Sequence, residues 1–484
     1  MPESDSNQHN PYRPASEVPL DQSEAVQPRR SLPRRILNWL EVDRAVFYAI
    51  IARGWQFIAG PITIIMITQF FPEEVQGYYY AFWSVVALQQ LFELGFPQAV
   101  LNFASHEWSK LEANDTDLEH ADPDTVSRLS SLLRSSLICY AVTAVLSTLL
   151  VFISGWVMFS RDEFANEVTW RAPWIAMSLL SMVVFTASPL LVLLEGCNQV
   201  KAVYKMQFAR AVLGNVAVWI AIAYGANLWA LVYATIVKLV CEGYLILIVY
   251  RKFFAKLIRK PTGATIDWRK QIWPFQWKIA LRGFFGYLNI QILNPVVFVF
   301  QGAIPAGQLG MVLQVLTAIQ SACASWLRTR AAMLGILVAK QDFQELNRVF
   351  YRVGKVALWV LCIAMGSFCI LNWGLHWWQL GIASRFLPPW ETLCLAFGFL
   401  AITVMEFQLV YMHAHQRAPF LFIGIACAIA SGLLIWWWGY WIGVTGACLA
   451  FLVINFLIKL PLFCYLFGTF CRDYHKDREH IDPA

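Results

Sequence analysis

The chain has 484 residues, of which 58% are hydrophobic, 15% aromatic and only 14% charged, with a mean hydropathy of +0.53. A soluble chain carries about 25% charged and 45–50% apolar residues, so this composition excludes a soluble enzyme, a disordered chain and a secreted disulfide scaffold. The formal net charge of +6 is too small to mark a nucleic-acid partner, and the placement of the charges matters more than their sum.

Residues 1–28 are polar, rich in Pro, Ser, Asp and Glu, and read as a disordered cytoplasmic tail. No short apolar stretch with a small-residue cleavage site follows a charged start, so no cleaved leader is expected. Residues 29–45 hold Arg29, Arg30, Arg34 and Arg35, then Ile36, Leu37, Trp39 and Leu40, a basic amphipathic pattern suited to an anionic inner leaflet.

Twelve apolar stretches of spanning length follow, over 46–70, 78–104, 135–159, 174–194, 208–225, 228–250, 276–301, 307–328, 353–373, 391–412, 420–440 and 443–467. Each suffices, or nearly so, to cross a hydrocarbon core of about 30 Å as a helix. Continuous apolar runs exclude a barrel, whose strands would alternate over about ten residues. The expected fold is an all-α polytopic membrane protein with twelve transmembrane helices. The basic stretch 251–275 (Arg251, Lys252, Lys256, Arg259, Lys260, Arg269 and Lys270) divides them into a lobe at 46–250 and a lobe at 276–467, with a cytoplasmic tail at 468–484. The first half of that linker, with Phe253, Phe254, Leu257 and Ile258, reads as a helix lying on the inner leaflet.

With the N-terminus in the cytoplasm, the inside loops and tails hold 26 of the 37 Lys and Arg, the outside loops hold three (Arg161, Arg171 and Arg385), and the other eight lie in or at the ends of spans. This satisfies the positive-inside rule and places both termini of a multi-pass membrane protein in the cytoplasm. The exception is the acidic inside loop 105–134, with Glu107, Glu112, Asp115, Asp117, Glu119, Asp122 and Asp124, whose composition suggests flexibility. Trp373, Trp377, Trp378, Trp390, Trp436, Trp437, Trp438 and Trp441 gather at outside span ends, as interfacial anchors do.

The halves share a pattern. Ile50-Ile51-Ala52-Arg53-Gly54-Trp55 in the first span matches Ile279-Ala280-Leu281-Arg282-Gly283-Phe284 in the seventh. Val75-Gln76-Gly77-Tyr78 then matches Gln308-Leu309-Gly310-Met311. Such duplication is common in transporters, and here the two units run parallel. Charges inside spans are costly and face a cavity or a partner. The clear cases are Arg53, Glu93, Lys238, Glu242, Arg282 and Glu406; Arg210, Lys278 and Lys459 lie nearer cytoplasmic ends and can snorkel. One reading sets Arg53 and Arg282 across a cavity between the lobes, where two guanidiniums suit a diphosphate. The other pairs Arg53 with Glu93, and Lys238 with Glu242 one turn on. Glu93 and Glu406 are candidates to carry a coupling H+ or Na+.

No phosphate-binding loop, hydrolase elbow, zinc motif or C-x-x-C pair occurs, and the eleven Cys are scattered singly. No catalytic site, metal or cofactor is expected, and the chain does not read as an enzyme.

Gly77-Tyr78-Tyr79-Tyr80-Ala81-Phe82-Trp83, continuing through Leu88-Gln89-Gln90-Leu91-Phe92-Glu93-Leu94-Gly95-Phe96, resembles the second helix of polysaccharide flippases of the O-antigen type. These belong to the multidrug/oligosaccharidyl-lipid/polysaccharide exporter superfamily. Ala306-Gly307-Gln308-Leu309-Gly310-Met311 resembles the start of their eighth helix, and Leu194-Glu195-Gly196-Cys197 with Gln199-Val200 the loop after their fourth. The resemblance covers residues 46–467. It implies two pseudo-symmetric six-helix bundles around a central cavity, working by alternating access. It also implies a lipid-diphosphate-linked oligosaccharide as substrate, flipped for polysaccharide (lipopolysaccharide) biosynthesis alongside polysaccharide-assembly proteins, with Arg53 and Arg282 in the cation positions. The alternative is a cation-coupled antiporter exporting small organic cations, in which Glu93 and Glu406 dominate.

Overall fold

The computed structural model describes residues 44–93, 95–110, 122–258, 263, 289–415 and 421–479. The tail 1–28, nearly all of the segment 29–45 and most of the linker 251–275 lie outside them. Every regular element among the described residues is helical. An apolar chain in lipid has no water to satisfy its backbone, and the helix does so within each span.

The first half holds α1 (Arg44–Phe70), α2 (Glu73–Ala87), α3 (Phe96–Trp108), α4 (Pro123–Ser160), α5 (Arg171–Gly196), α6 (Val200–Ala223), α7 (Trp229–Gly243) and the short α8 (Arg251–Leu257). The second holds α9 (Leu293–Gln301), α10 (Ala303–Arg328), α11 (Ala331–Ala339), α12 (Phe343–Trp377), α13 (Pro389–Ala414), α14 (Leu421–Ile442), α15 (Val444–Leu452) and α16 (Leu460–Glu479). Among the described residues nine helices are long and apolar enough to cross a bilayer. The other three expected spans fall on α1, on α2 with α3, and on a stretch described only from residue 289.

The same elements recur in the same order. The third spans, α4 and α12, are the longest, with 38 and 35 residues. At 1.5 Å per residue each rises more than about 50 Å and extends well past a hydrocarbon core of about 30 Å. Both begin on an aspartate cap: Asp122 accepts from the Thr125 N–H at 3.0 Å, and Asp342 from the Glu345 N–H at 3.0 Å. The fourth spans, α5 and α13, both have 26 residues. The last span of each half widens into a π turn, at Tyr244–Val249 after α7 and Val453–Lys459 after α15.

Three expectations need correction. The stretch 78–104 is not one helix. After α2 the chain tightens into a 3-10 segment, Leu88–Glu93, and Gly95 turns left-handed (φ 71°) before α3. A side chain at Gly95 would strain that turn, and Pro97 lies in the first turn of the next helix, where no N–H is needed. The acidic loop is ordered at both ends. Glu107 is buried, held by Lys110 at 2.9 Å and Arg128 at 3.0 Å. The start of the linker does not lay its apolar face on lipid: Phe253, Phe254 and Leu257 of α8 are buried against Leu129, Leu132 and Leu133 of α4, leaving Ile258 exposed.

The outer faces carry bare apolar side chains, among them Leu247, Trp359, Ile363 and Ile370, as lipid contact requires. Of the expected tryptophan anchors, Trp373, Trp377, Trp378, Trp390, Trp436, Trp437 and Trp441 are exposed, whereas Trp438 packs against the core. The largest buried cluster gathers Tyr78, Phe82, Phe159, Trp174 and Phe298, with neighbouring ring centroids 4.8–5.5 Å apart.

Candidate functional site

The halves pack on each other chiefly through α2 against α10, with a smaller share from α9. Small residues let the backbones touch, as they do between membrane helices generally. A Cβ on Gly307 would stand 2.8 Å from the Gly77 nitrogen, and one on Gly310 would overlap the Tyr80 ring. Hydrogen bonds rivet this seam. The Ala303 N–H donates to Asp162 at 3.1 Å, and the Tyr78 hydroxyl to the same carboxylate at 2.9 Å. The Tyr80 hydroxyl donates to Gln314 at 2.7 Å, the Ser384 hydroxyl to Glu73 at 2.6 Å, and the Gln76 amide to the Arg385 carbonyl at 3.1 Å. All lie toward the end of the bundles that carries the loops 161–170 and 378–388. Arg385 also reaches Glu73 at 3.8 Å, and Arg171 lies 5.8 Å from the Trp170 ring.

Inside the first half, four charged side chains come together. Glu242 on α7 is buried and pairs with Arg210 of α6 at 2.7 Å. The expected partner, Lys238, is not the one that bonds it. Lys238 lies within electrostatic reach of Glu242, Arg210 and Glu93. Glu93 sits at the break that ends the 3-10 segment, and its charged neighbour among the described side chains is Lys238. Arg210 therefore points into the bundle rather than snorkelling. The i,i+4 spacing of Lys238 and Glu242 was visible in sequence; the cross-helix partner was not.

In the second half, Glu406 of α13 accepts from the Gln320 amide at 2.9 Å and forms an ion pair with Arg328. Glu406 is 18% exposed and Arg328 51%. Arg328 ends α10, about 37 Å along the helix from Ala303 and hence far from the seam. In the sequence it is the last residue of the expected span 307–328, and that position was its only signal. The backbone of Arg53 lies in α1, but its side chain and all of Arg282 fall outside the described residues.

Residues 42–329, more than half of the chain, match the family described as polysaccharide biosynthesis protein. The chain belongs to this family. The α2–α10 seam, the Glu93 cluster and Arg328 all lie within the matched stretch of this polysaccharide biosynthesis protein, while Glu406 lies beyond it. No curated protein matches the sequence. Among solved structures, one described as the lipid II flippase MurJ in an inward closed conformation superposes with a TM-score of 0.59 at 14% identity, over 87% of each chain. An inward-facing multidrug resistance MATE family transporter of the MOP superfamily gives 0.57 at 12% identity, over 89% of this chain and 99% of that one. A Vibrio cholerae MATE transporter gives 0.51 at 11% identity, over 89% and 95%. Family and fold together bear out the resemblance to the superfamily's polysaccharide flippases and the all-α, twelve-span, two-bundle architecture.

Proposed function

We propose that the protein flips a lipid-diphosphate-linked oligosaccharide from the inner to the outer leaflet of the inner membrane, by alternating access, for polysaccharide assembly. The observation that carries this reading is the single-ended seam. Membership of the polysaccharide biosynthesis family supports the substrate class. The seam end bears Arg161, Arg171 and Arg385, the three basic residues assigned outside, so the positive-inside rule turns it away from the cytoplasm. The state is then shut outside, with Arg328 accessible on the inner side.

In this reading Arg53 and Arg282 grip the diphosphate, and Arg328 guides it in. Glu406 holds the Arg328 guanidinium until an anion with more oxygens displaces it. The basic face of the linker, Arg251 and Lys252, meets anionic lipid headgroups. The test is glycan export in cells carrying Arg53→Ala, Arg282→Ala and the double variant, with membrane insertion checked separately. Each single change lowers export, and unchanged export in the double variant would sink the diphosphate role.

The charged group buried in the first half favours a second reading, a cation-coupled antiporter for small organic cations. Glu93 and Glu406 would then carry the coupling H+ or Na+. Loss of organic-cation efflux in Glu93→Gln, with Arg53→Ala silent, would choose this reading over the first.

A further inference from the structure

Asp162 joins three donors. The Tyr78 hydroxyl reaches Oδ2 at 2.9 Å, the Phe164 N–H reaches the same oxygen at 3.2 Å, and the Ala303 N–H reaches Oδ1 at 3.1 Å. The first two belong to the same half as Asp162 and fix its carboxylate. The third is the first amide of α10, in the other half. The opening N–H groups of a helix lack acceptors within it. The residue before α10 is Gly302, at φ 83°, with no side chain to accept a bond. Asp162 therefore acts as the N-cap of a helix it is not part of, and its negative charge suits the helix's positive end.

We propose that Asp162 is the latch of the seam: a cap supplied by one half to the other, which exists only while this end is shut. If the halves part here, Tyr78 and Asp162 move together, and the bond to Ala303 breaks. The other seam bonds are poorer candidates. Glu73, Ser384 and Arg385 meet at the rim, where Glu73 is 34% exposed and water competes for each group. Tyr80 and Gln314 are uncharged, and such bonds are the weaker kind. Asp162 is thus a positioning residue that sets the balance between states. The inference rests on the two-lobe rocking motion of the proposed function but not on its substrate.

The test is hydrogen–deuterium exchange on the full-length protein in lipid nanodiscs. In Asp162→Ala, which removes both acceptor oxygens, amides over 73–82 and 303–312 should exchange about tenfold faster, the population shift expected from losing one charge-assisted cap bond. Amides in the middle of α12 should be unchanged. Tyr78→Phe, which frees the carboxylate without removing it, should give a smaller rise at the same places. A disulfide between Glu73→Cys and Ser384→Cys, in a background free of other reactive cysteines, should return Asp162→Ala to slow exchange until it is reduced. Wild-type exchange at the seam in Asp162→Ala would overturn the latch, and so would an equal rise over all spans, which marks general loosening. Neither result depends on glycan export, so failure here is distinguishable from failure of the flippase reading.

Discussion

Gly77 lies against the Ala303 carbonyl so closely that a Cβ on residue 77 would overlap the carbonyl oxygen. The obstacle is backbone on a helix of the other half, which cannot swing aside as a side chain could. Gly77→Ala should therefore push α2 off α10 and disfavour the shut state by about 1–3 kcal/mol, the usual cost of overpacking. The variant should fold, because the buried clusters around Leu129 and Phe253 in the first half and around Phe350 and Tyr411 in the second do not cross the seam. Cysteine accessibility at the seam should rise and export should fall. Tight packing of Gly77→Ala at wild-type accessibility would show that α2 and α10 approach less closely than this.

Arg328 and Glu406 predict an asymmetry. Arg328→Gln removes the accessible guanidinium, and export should drop about tenfold or more if the arginine meets an anionic substrate. Glu406→Gln leaves the guanidinium and removes its competitor, so export should hold or rise. A merely structural pair would give equal losses for the two variants, and an export assay matched for protein level separates the outcomes. A coupling role for Glu406 predicts the reverse order.

Asp122 caps α4 beyond the membrane. The Thr125 hydroxyl at 2.9 Å and the Thr125 N–H hold its carboxyl below the ordinary carboxylate value. A group lowered on folding stabilises above its unfolded pKa and loses that contribution as pH falls through the folded value. Exchange at residues 124–126, corrected for intrinsic rate, should therefore be flat near neutrality and rise only below about pH 4. In Asp122→Ala it should be fast at every pH.

The span pattern was legible because lipid leaves an apolar run of about twenty residues one conformation. The two-half division was legible in the basic stretch between the halves and in their shared motif, and the glycines of that motif at 77 and 310 lie at the seam. The break at Gly95 was hidden, since the run 78–104 is apolar through it and only the Leu-Gly-Phe-Pro sequence hinted at a turn. Partners were the hardest to read. Lys238 and Glu242 share a helix face, but burial was relieved by Arg210 from a different helix. Asp162 is, in sequence, one acid in a short loop, because its role depends on where another half's helix begins. Arg53 and Arg282, which the repeat made conspicuous, lie where the structure describes no side chain.

Arg210, Lys238 and Glu242 predict a shared counterion. Glu242 has 2% of its side chain exposed, against 33% for Arg210, so the carboxylate is the group that cannot be left alone. Arg210→Met keeps Lys238 in electrostatic reach, and the loss in stability should stay near 1–2 kcal/mol. Arg210→Met with Lys238→Met strands the carboxylate, and the loss should reach about 3–5 kcal/mol, more than the two single losses summed. Adding Glu242→Leu removes the stranded charge and should recover most of that loss, since apolar replacement of a whole buried group is often neutral. Thermal midpoints of the purified variants in one lipid mixture provide the comparison. Strict additivity of the Arg210 and Lys238 changes would mean that the two cations do not serve the same carboxylate.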